Sequence, residues 1–167
     1  MESTKRRIFI DMDGVLCEYR LDVSVEDMKK EGFFRALRPR GKTVSAVRAL
    51  IEQGITDVFV LSAVFPETRG KSIAEKNAWL DEHLPEIDYE HRLFPLCGTS
   101  KADAIKDFSP DDILMDDYSS NLFAWVLAGG KGIKLLNEVN GKNGTFHEGP
   151  RLRVLDGESL IQAVLEA

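Results

Sequence analysis

The sequence predicts an α/β fold: a parallel sheet with helices on both faces, carrying a small helical cap insertion. Three observations predict it. Apolar runs of strand length recur along the 167 residues. Amphipathic stretches of helical spacing separate them, most of them closed by glycine or proline. One segment, between Cys17 and about Arg40, is too long for a loop and too short for a domain. The chain 1–167 therefore reads as a single domain with a cap inserted at about 17–40.

The elements follow in order. "RIFID" is a buried strand ending at Asp11. In "SVEDMKKEG", Ser24 caps a short helix, Asp27 stands three residues on, and Gly32 stops it. This cap helix leads into Phe33 and Phe34. "KTVSAVRALIEQG" sets Val44, Val47, Leu50 and Ile51 on one helical face, with Gly54 at its end. "TDVFVLSA" is the second strand. "ETRGKSIAEKNAWLDEHLP" places Ile73, Asn77, Leu80 and Leu84 at helical spacing before Pro85. "HRLFPL" is a short third strand, and "SKADAIKDFSP" a helix from Ser100. "DDILMDD" is the fourth strand, "SSNLFAWVLAGG" a helix, and "KGIKLL" the fifth strand. A last strand around "LRVL" and the helix "ESLIQAVLE" complete the pattern.

Composition narrows the function. Lysine and arginine number 22 against 28 acidic residues, a net charge of −6. That argues against a nucleic-acid polymer as partner, which needs a basic footprint. A small anion held by a few local donors remains compatible. The only cysteines, Cys17 and Cys97, lack metal-ligand spacing and fit a reduced, cytoplasmic protein. "MESTKRRIFID" reaches a carboxylate after three apolar positions, too few for a signal-peptide core. "LFAWVLAGG" is cut off by Lys131 and is too short to span a bilayer, so no membrane partner is expected.

The chemistry lies at the strand ends. Asp11 closes the first strand and Asp13 follows, before Gly14. Residues i and i+2 of an extended chain share a side, roughly 6–7 Å apart. Both carboxylates can thus face one ligand from the carboxyl end of a strand, where open α/β sheets bind ligands. Alone, the stretch also reads as a strand end followed by an ordinary Asp-Gly turn. The second strand ends in Ser62 and the fourth in Asp116 and Asp117, while Lys101 opens the helix after the third. Taken singly, Ser62 is a turn residue, Lys101 a solvated lysine and the acidic pair a helix cap. Together they bring four carboxylates, a hydroxyl and an ammonium to one sheet edge. Oxygen-only carboxylate clusters suit Mg²⁺, and the lysine and hydroxyl suit phosphate oxygens. Helix N-termini after Ser62 and near Ser100 are expected to add backbone N–H groups.

The order Asp-x-Asp-Gly, Ser, Lys, Asp-Asp resembles the haloacid dehalogenase superfamily. Its four motifs have matches in "DMDGV", "VLSA", Lys101 and "MDD". The resemblance implies a Rossmann-like core sheet of order 5-4-1-2-3, and the aspartate two after the nucleophile marks the superfamily's phosphatases. "EGFFRALRPRGKTVSAV", "LSAVFPETRGKSIAEKNAWLDEHLP" and "ILMDD" further resemble the 5'(3')-deoxyribonucleotidases. The segment before Gly32 is shorter than in the animal enzymes, and Ala63 departs from the usual pattern after the serine.

The resemblance implies a Mg²⁺-dependent phosphomonoesterase with an aspartyl-phosphate intermediate, acting on a small phosphomonoester such as a deoxynucleoside monophosphate. Asp11 would be the nucleophile and Asp13 the general acid and base. Ser62, Ala63 and Lys101 would hold the phosphoryl group. Asp11, the Asp13 carbonyl and the pair Asp116 and Asp117 would hold the metal, with Asp117 as the direct ligand. Phe33 and Phe34 would stack on a base. An alternative is a phosphatase of the same superfamily acting on another small phosphate ester. A phospho-accepting signalling domain shares these groups, but there the acidic pair comes first along the chain and the lysine last. A scaffold without catalysis would not need the full set.

Overall fold

The computed structural model describes residues 5–137, 139, 145–153 and 156–167. Its strands are β1 (Arg6–Ile10), β2 (Thr56–Leu61), β3 (Arg92–Leu93), β4 (Ile113–Asp116), β5 (Lys131–Leu135) and β6 (Arg151–Leu152). They form one sheet of order β3-β2-β1-β4-β5-β6, and every pairing is parallel. This is the 5-4-1-2-3 order with β6 added outside β5. Ile8 stands opposite both Val58 and Ile113, so β1 is central, flanked by β2 and β4. At the opposite end of the sheet from the site, Arg7 and Asp112 form an ion pair at 2.6 Å.

The helices are α1 (Val25–Met28), α2 (Gly41–Gln53), α3 (Arg69–His83), α4 (Ser119–Leu127) and α5 (Gly157–Glu166). Strand alternation sends Ile8 and Ile10 to one face, where they pack with Val47, Leu50, Trp79, Leu80 and Leu160 from α2, α3 and α5. Phe9 and Leu114 face the other way, toward Leu122, Trp125 and Phe146. Each face of the sheet is thereby sealed by its own apolar cluster, as a parallel sheet requires. Gly54 ends α2 in the left-handed region at φ 64°, as its position in the sequence predicts.

The cap is smaller than a domain and mostly turns. Ser24 and Asp27 form the reciprocal cap of α1, with Ser24 Oγ accepting from Asp27 N at 3.1 Å and Asp27 Oδ2 from Ser24 N at 3.0 Å. The two ends of the cap are tied together, Glu18 N to Arg38 O at 2.9 Å and Arg40 N to Leu16 O at 2.7 Å.

Three expectations need correction. The third strand is only two residues long, because a one-turn helix precedes it and Pro95 offers no N–H to extend the ladder. The helix expected from Ser100 is a single tight turn, Ala102–Ala104. Asp107 takes φ 55° just beyond, and the carbonyl of Asp107 accepts from Arg7 at 2.8 Å instead of continuing a helix. No helix starts directly after Ser62 either: Val64 first pairs with the 95–97 segment, and α3 begins at Arg69. Of the last strand, Arg151 and Leu152 form β6, while Val154 and Leu155 lie outside the described residues. None of the described helices is long and apolar enough to cross a membrane.

Candidate active site

The sheet delivers its polar residues from three adjacent strands. Asp11 leaves β1 with its N–H still bonded to Met115 O at 3.0 Å, so its position is fixed by β4. The chain then folds tightly: Met12 O accepts from Val15, Leu16 and Cys17 N–H groups at 2.9–3.1 Å. Gly14 sits in that turn at φ 82°. Asp11, Asp116 and Asp117 are all buried, and each offers a carboxylate oxygen within 4.8 Å of the others.

Lys101 lies inside this acidic cluster. Its Nζ is 2.9 Å from Asp11 Oδ1 and donates to Asp116 Oδ2 at 2.7 Å. Burial works against the ammonium charge, but the Asp11 and Asp116 carboxylates outweigh it and push the Lys101 pKa up. Burial pushes the Asp11 pKa up, to about 8, with Lys101 opposing and Asp116, Asp13 and Asp117 adding to the rise. Burial thus works against charge on both partners, and each holds the other's charged form through their contact.

Asp116 is held by three hydrogen bonds. Oδ1 accepts from Tyr118 N at 2.9 Å, and Oδ2 accepts from Asn121 Nδ2 at 2.9 Å as well as from Lys101. Asp117 Oδ2 accepts from Asn137 Nδ2 at 2.6 Å, and the same amide reaches Gly14 O at 3.0 Å. Lys134 donates to the Asp117 carbonyl and to Ser119 Oγ.

Ser62 is buried at the end of β2, and its partner is a residue with no role in the sequence reading. Lys76, fully buried on α3, donates to Ser62 Oγ at 2.7 Å, Asp13 Oδ2 at 2.6 Å and Ala63 O at 3.2 Å. Asp13, Ser62, Ala63 and Lys76 therefore form one flank of the site, and Asp11, Lys101, Asp116 and Asp117 the other. Lys76 had a signal. It stands three residues after Ile73 and four before Leu80, on the apolar face, where a lysine must either reach past the core or find acids. Asn137 had one too, since it follows β5 as Ser62 follows β2.

The aromatic expectation is only partly met. Phe34 is 4% exposed, its ring lies 4.5 Å under Lys76 Nζ, and Phe33 meets it edge-on at 5.2 Å. With Asp13 and Tyr19 they border a space of about 20 Å³, room for one water and not for a base. The open cleft above the carboxylates, about 490 Å³, is lined by Asp11, Asp13, Asp117, Tyr19, Leu21, Tyr118 and Val139. Tyr19 is 40% and Tyr118 53% exposed, so the aromatic rings that border the open cleft are these tyrosines.

Comparison with known proteins identifies a family. A family profile, "5' nucleotidase, deoxy (Pyrimidine), cytosolic type C protein", matches residues 22–148. That span contains Ser62, Lys76, Lys101, Asp116 and Asp117 and starts beyond Asp11 and Asp13. None of the curated protein sequences matches the chain. Among solved structures, a D,D-heptose 1,7-bisphosphate phosphatase from B. bronchiseptica, complexed with magnesium and phosphate, superposes with TM-score 0.65 at 14% identity, covering 97% of this chain and 99% of its own. The same enzyme from Burkholderia thailandensis gives 0.60 at 16%, covering 95% and 98%. An L-2-haloacid dehalogenase gives 0.63 at 13%, covering 98% and 100%. The family match, on a fold shared with the haloacid dehalogenase superfamily, defines a phosphomonoester hydrolase. Within that class, the chain belongs to the deoxy (pyrimidine) cytosolic type C 5'-nucleotidase family.

Proposed function

We propose that the protein hydrolyses nucleoside monophosphates, deoxynucleotides among them, through an aspartyl-phosphate intermediate. The observation that carries this is that Asp11, Asp13 and Asp117 line a cleft walled by Tyr19 and Tyr118, with buried Lys101 against Asp11 and buried Lys76 joining Asp13 to Ser62. Asp11 attacks phosphorus, and the phosphorus–ester oxygen bond breaks as Asp13 gives its proton to the leaving alkoxide. Water then attacks the acyl phosphate, Asp13 takes its proton, and inorganic phosphate leaves with Asp11 restored. Ser62, Lys76 and Lys101 hold phosphoryl oxygens while charge shifts between them. The nucleoside lies between the two tyrosines.

The donor set fits a hard divalent cation: three buried carboxylates within reach of one another and no soft ligand. Asp11 and Asp117 would hold Mg²⁺, together with the carbonyl of Asp13. Asp116, already accepting three hydrogen bonds, braces Lys101 and the turn. When bound, the ion neutralises charge so that a carboxylate can approach a phosphate dianion.

A second reading, a phosphatase for other small esters, is favoured by one observation, the reduction of the cap to segment 17–40 around one four-residue helix. Phosphate release from a panel of deoxynucleotides, ribonucleotides, sugar phosphates and glycerol phosphate decides between them. Efficient turnover of sugar phosphates with none of nucleotides would replace the first reading by the second. Asp11→Asn is expected to abolish turnover of every substrate while keeping the fold. Residual turnover near wild type would remove Asp11 as nucleophile.

A further inference from the structure

Glu75 precedes Lys76 on α3 and is likewise buried, yet its carboxylate turns away from the phosphate flank. It accepts from the Gly32 N–H at 2.7 Å and from the Phe34 N–H at 3.0 Å. Both donors belong to the turn in which the cap returns toward the core. One helical turn earlier, Lys71 Nζ donates to Glu75 at 3.4 Å and to Lys30 O at 2.5 Å. One turn later, Trp79 Nε1 donates to Leu37 O at 2.7 Å. One ridge of α3, residues 71, 75 and 79, thus grips the cap at three successive heights.

The grip continues into the cleft. Phe34, whose N–H Glu75 holds, supports Lys76 from below, and Phe33 and Phe34 border the same small space as Tyr19. Tyr19 in turn forms a wall of the open cleft. A buried carboxylate needs such donors to be tolerated, and these two N–H groups need an acceptor that the short cap cannot supply itself.

We propose that Glu75 is a positioning residue for substrate selection. It docks the 32–34 turn on α3 and, through Phe33 and Phe34, holds Tyr19 against the organic part of the ester without touching the phosphoryl group. The proposal rests on the phosphomonoesterase reading and extends it to how the cap is held. Undocking the turn therefore penalises an ester whose alcohol is large enough to reach Tyr19 and spares one that is not.

The test compares wild type, Glu75→Gln and Glu75→Ala on a deoxynucleoside monophosphate and on glycerol phosphate, with amide hydrogen exchange followed at Gly32 and Phe34. Glutamine keeps the volume of the side chain but can accept through only one oxygen, so it reports even if the alanine variant does not fold. Exchange at both amides is expected to accelerate by about tenfold or more. KM for the nucleotide is expected to rise about tenfold with kcat nearly unchanged, while both constants for glycerol phosphate stay within about twofold. Unchanged exchange overturns the proposal, and so does a parallel loss on both substrates, which makes Glu75 part of the general scaffold. Wild type inactive on every ester defeats the phosphomonoesterase reading instead. Wild type active on glycerol phosphate alone defeats the nucleotide reading, and the exchange rates then decide the docking role of Glu75 by themselves.

Discussion

Gly14 is held by conformation and by space at once. Its φ of 82° suits glycine, and a Cβ there would meet Asp117 Oδ2 at 2.5 Å and Asn137 Nδ2 at 3.3 Å. The backbone term alone costs an alanine roughly 1–2 kcal/mol. The larger effect is on the site, because Asp117 must move. Gly14→Ala is expected to keep the sheet but weaken Mg²⁺ binding, measured by calorimetric titration, by about 10- to 100-fold, the usual scale for disturbing a ligand's support. Unchanged affinity would show that Asp117 is not a ligand. Lys76 makes a complementary test. Lys76→Met keeps the stem and removes the ammonium, and is expected to lower kcat by about 10²–10³ without abolishing metal binding. An unchanged kcat would reduce Lys76 to a structural brace of Asp13 and Ser62.

At the level of elements, α3 and the cap divide the work. The sequence pattern places α3 well, and its strand-end rule finds Asp11, Asp13, Ser62, Asp116 and Asp117, because strand direction alone sends them to one edge. Lys101 reaches the same edge although the helix expected around it is one tight turn. What the pattern misses is side-chain reach across elements. Lys76 occupies an apolar helical face and looks like a snorkelling lysine until Asp13, 63 residues earlier, is placed beside it. Phe33 and Phe34 were legible as cap aromatics, but not as the floor beneath Lys76, which depends on how the cap turn docks. The difference is testable. Tyr19→Ala is expected to lower kcat/KM for a nucleotide by about ten- to a hundredfold relative to glycerol phosphate, the scale of one base–aromatic stack of roughly 1–3 kcal/mol. Equal losses on both esters would take Tyr19 out of the substrate wall.

For the whole molecule, the buried acidic cluster links stability to pH and, on the proposed function, to metal. In the metal-free protein Asp11 has its pKa raised to about 8, above its ordinary value of 3.8. Between these values the folded state keeps a proton that the unfolded state has released. Its contribution is therefore complete below the lower value and is lost as pH rises through the upper one. The melting temperature of the metal-free protein is expected to fall between about pH 5 and pH 8 on this account. On the proposed metal site, saturating Mg²⁺ is expected to remove most of that fall, since an ion held by Asp11 would take the proton's place. Calorimetric scans with and without the ion check it, and identical pH profiles would contradict it.

The position of β1 between β2 and β4 also has a consequence in time. Arg7 and Asp112, the ion pair that marks where β1 and β4 meet, are 105 residues apart in the chain. A nascent or truncated chain ending before β4 carries Asp11, the proposed nucleophile, with no acidic pair beside it, and is expected to be inert however well its helices have formed. Contacts so distant in sequence close late, because the intervening loop must first be ordered. After dilution from denaturant, the helical circular-dichroism signal should therefore recover before phosphatase activity, which returns only as β4 seats beside β1. Activity recovering in step with the helices would mean that the two strands meet early, and that the central pairing nucleates the fold.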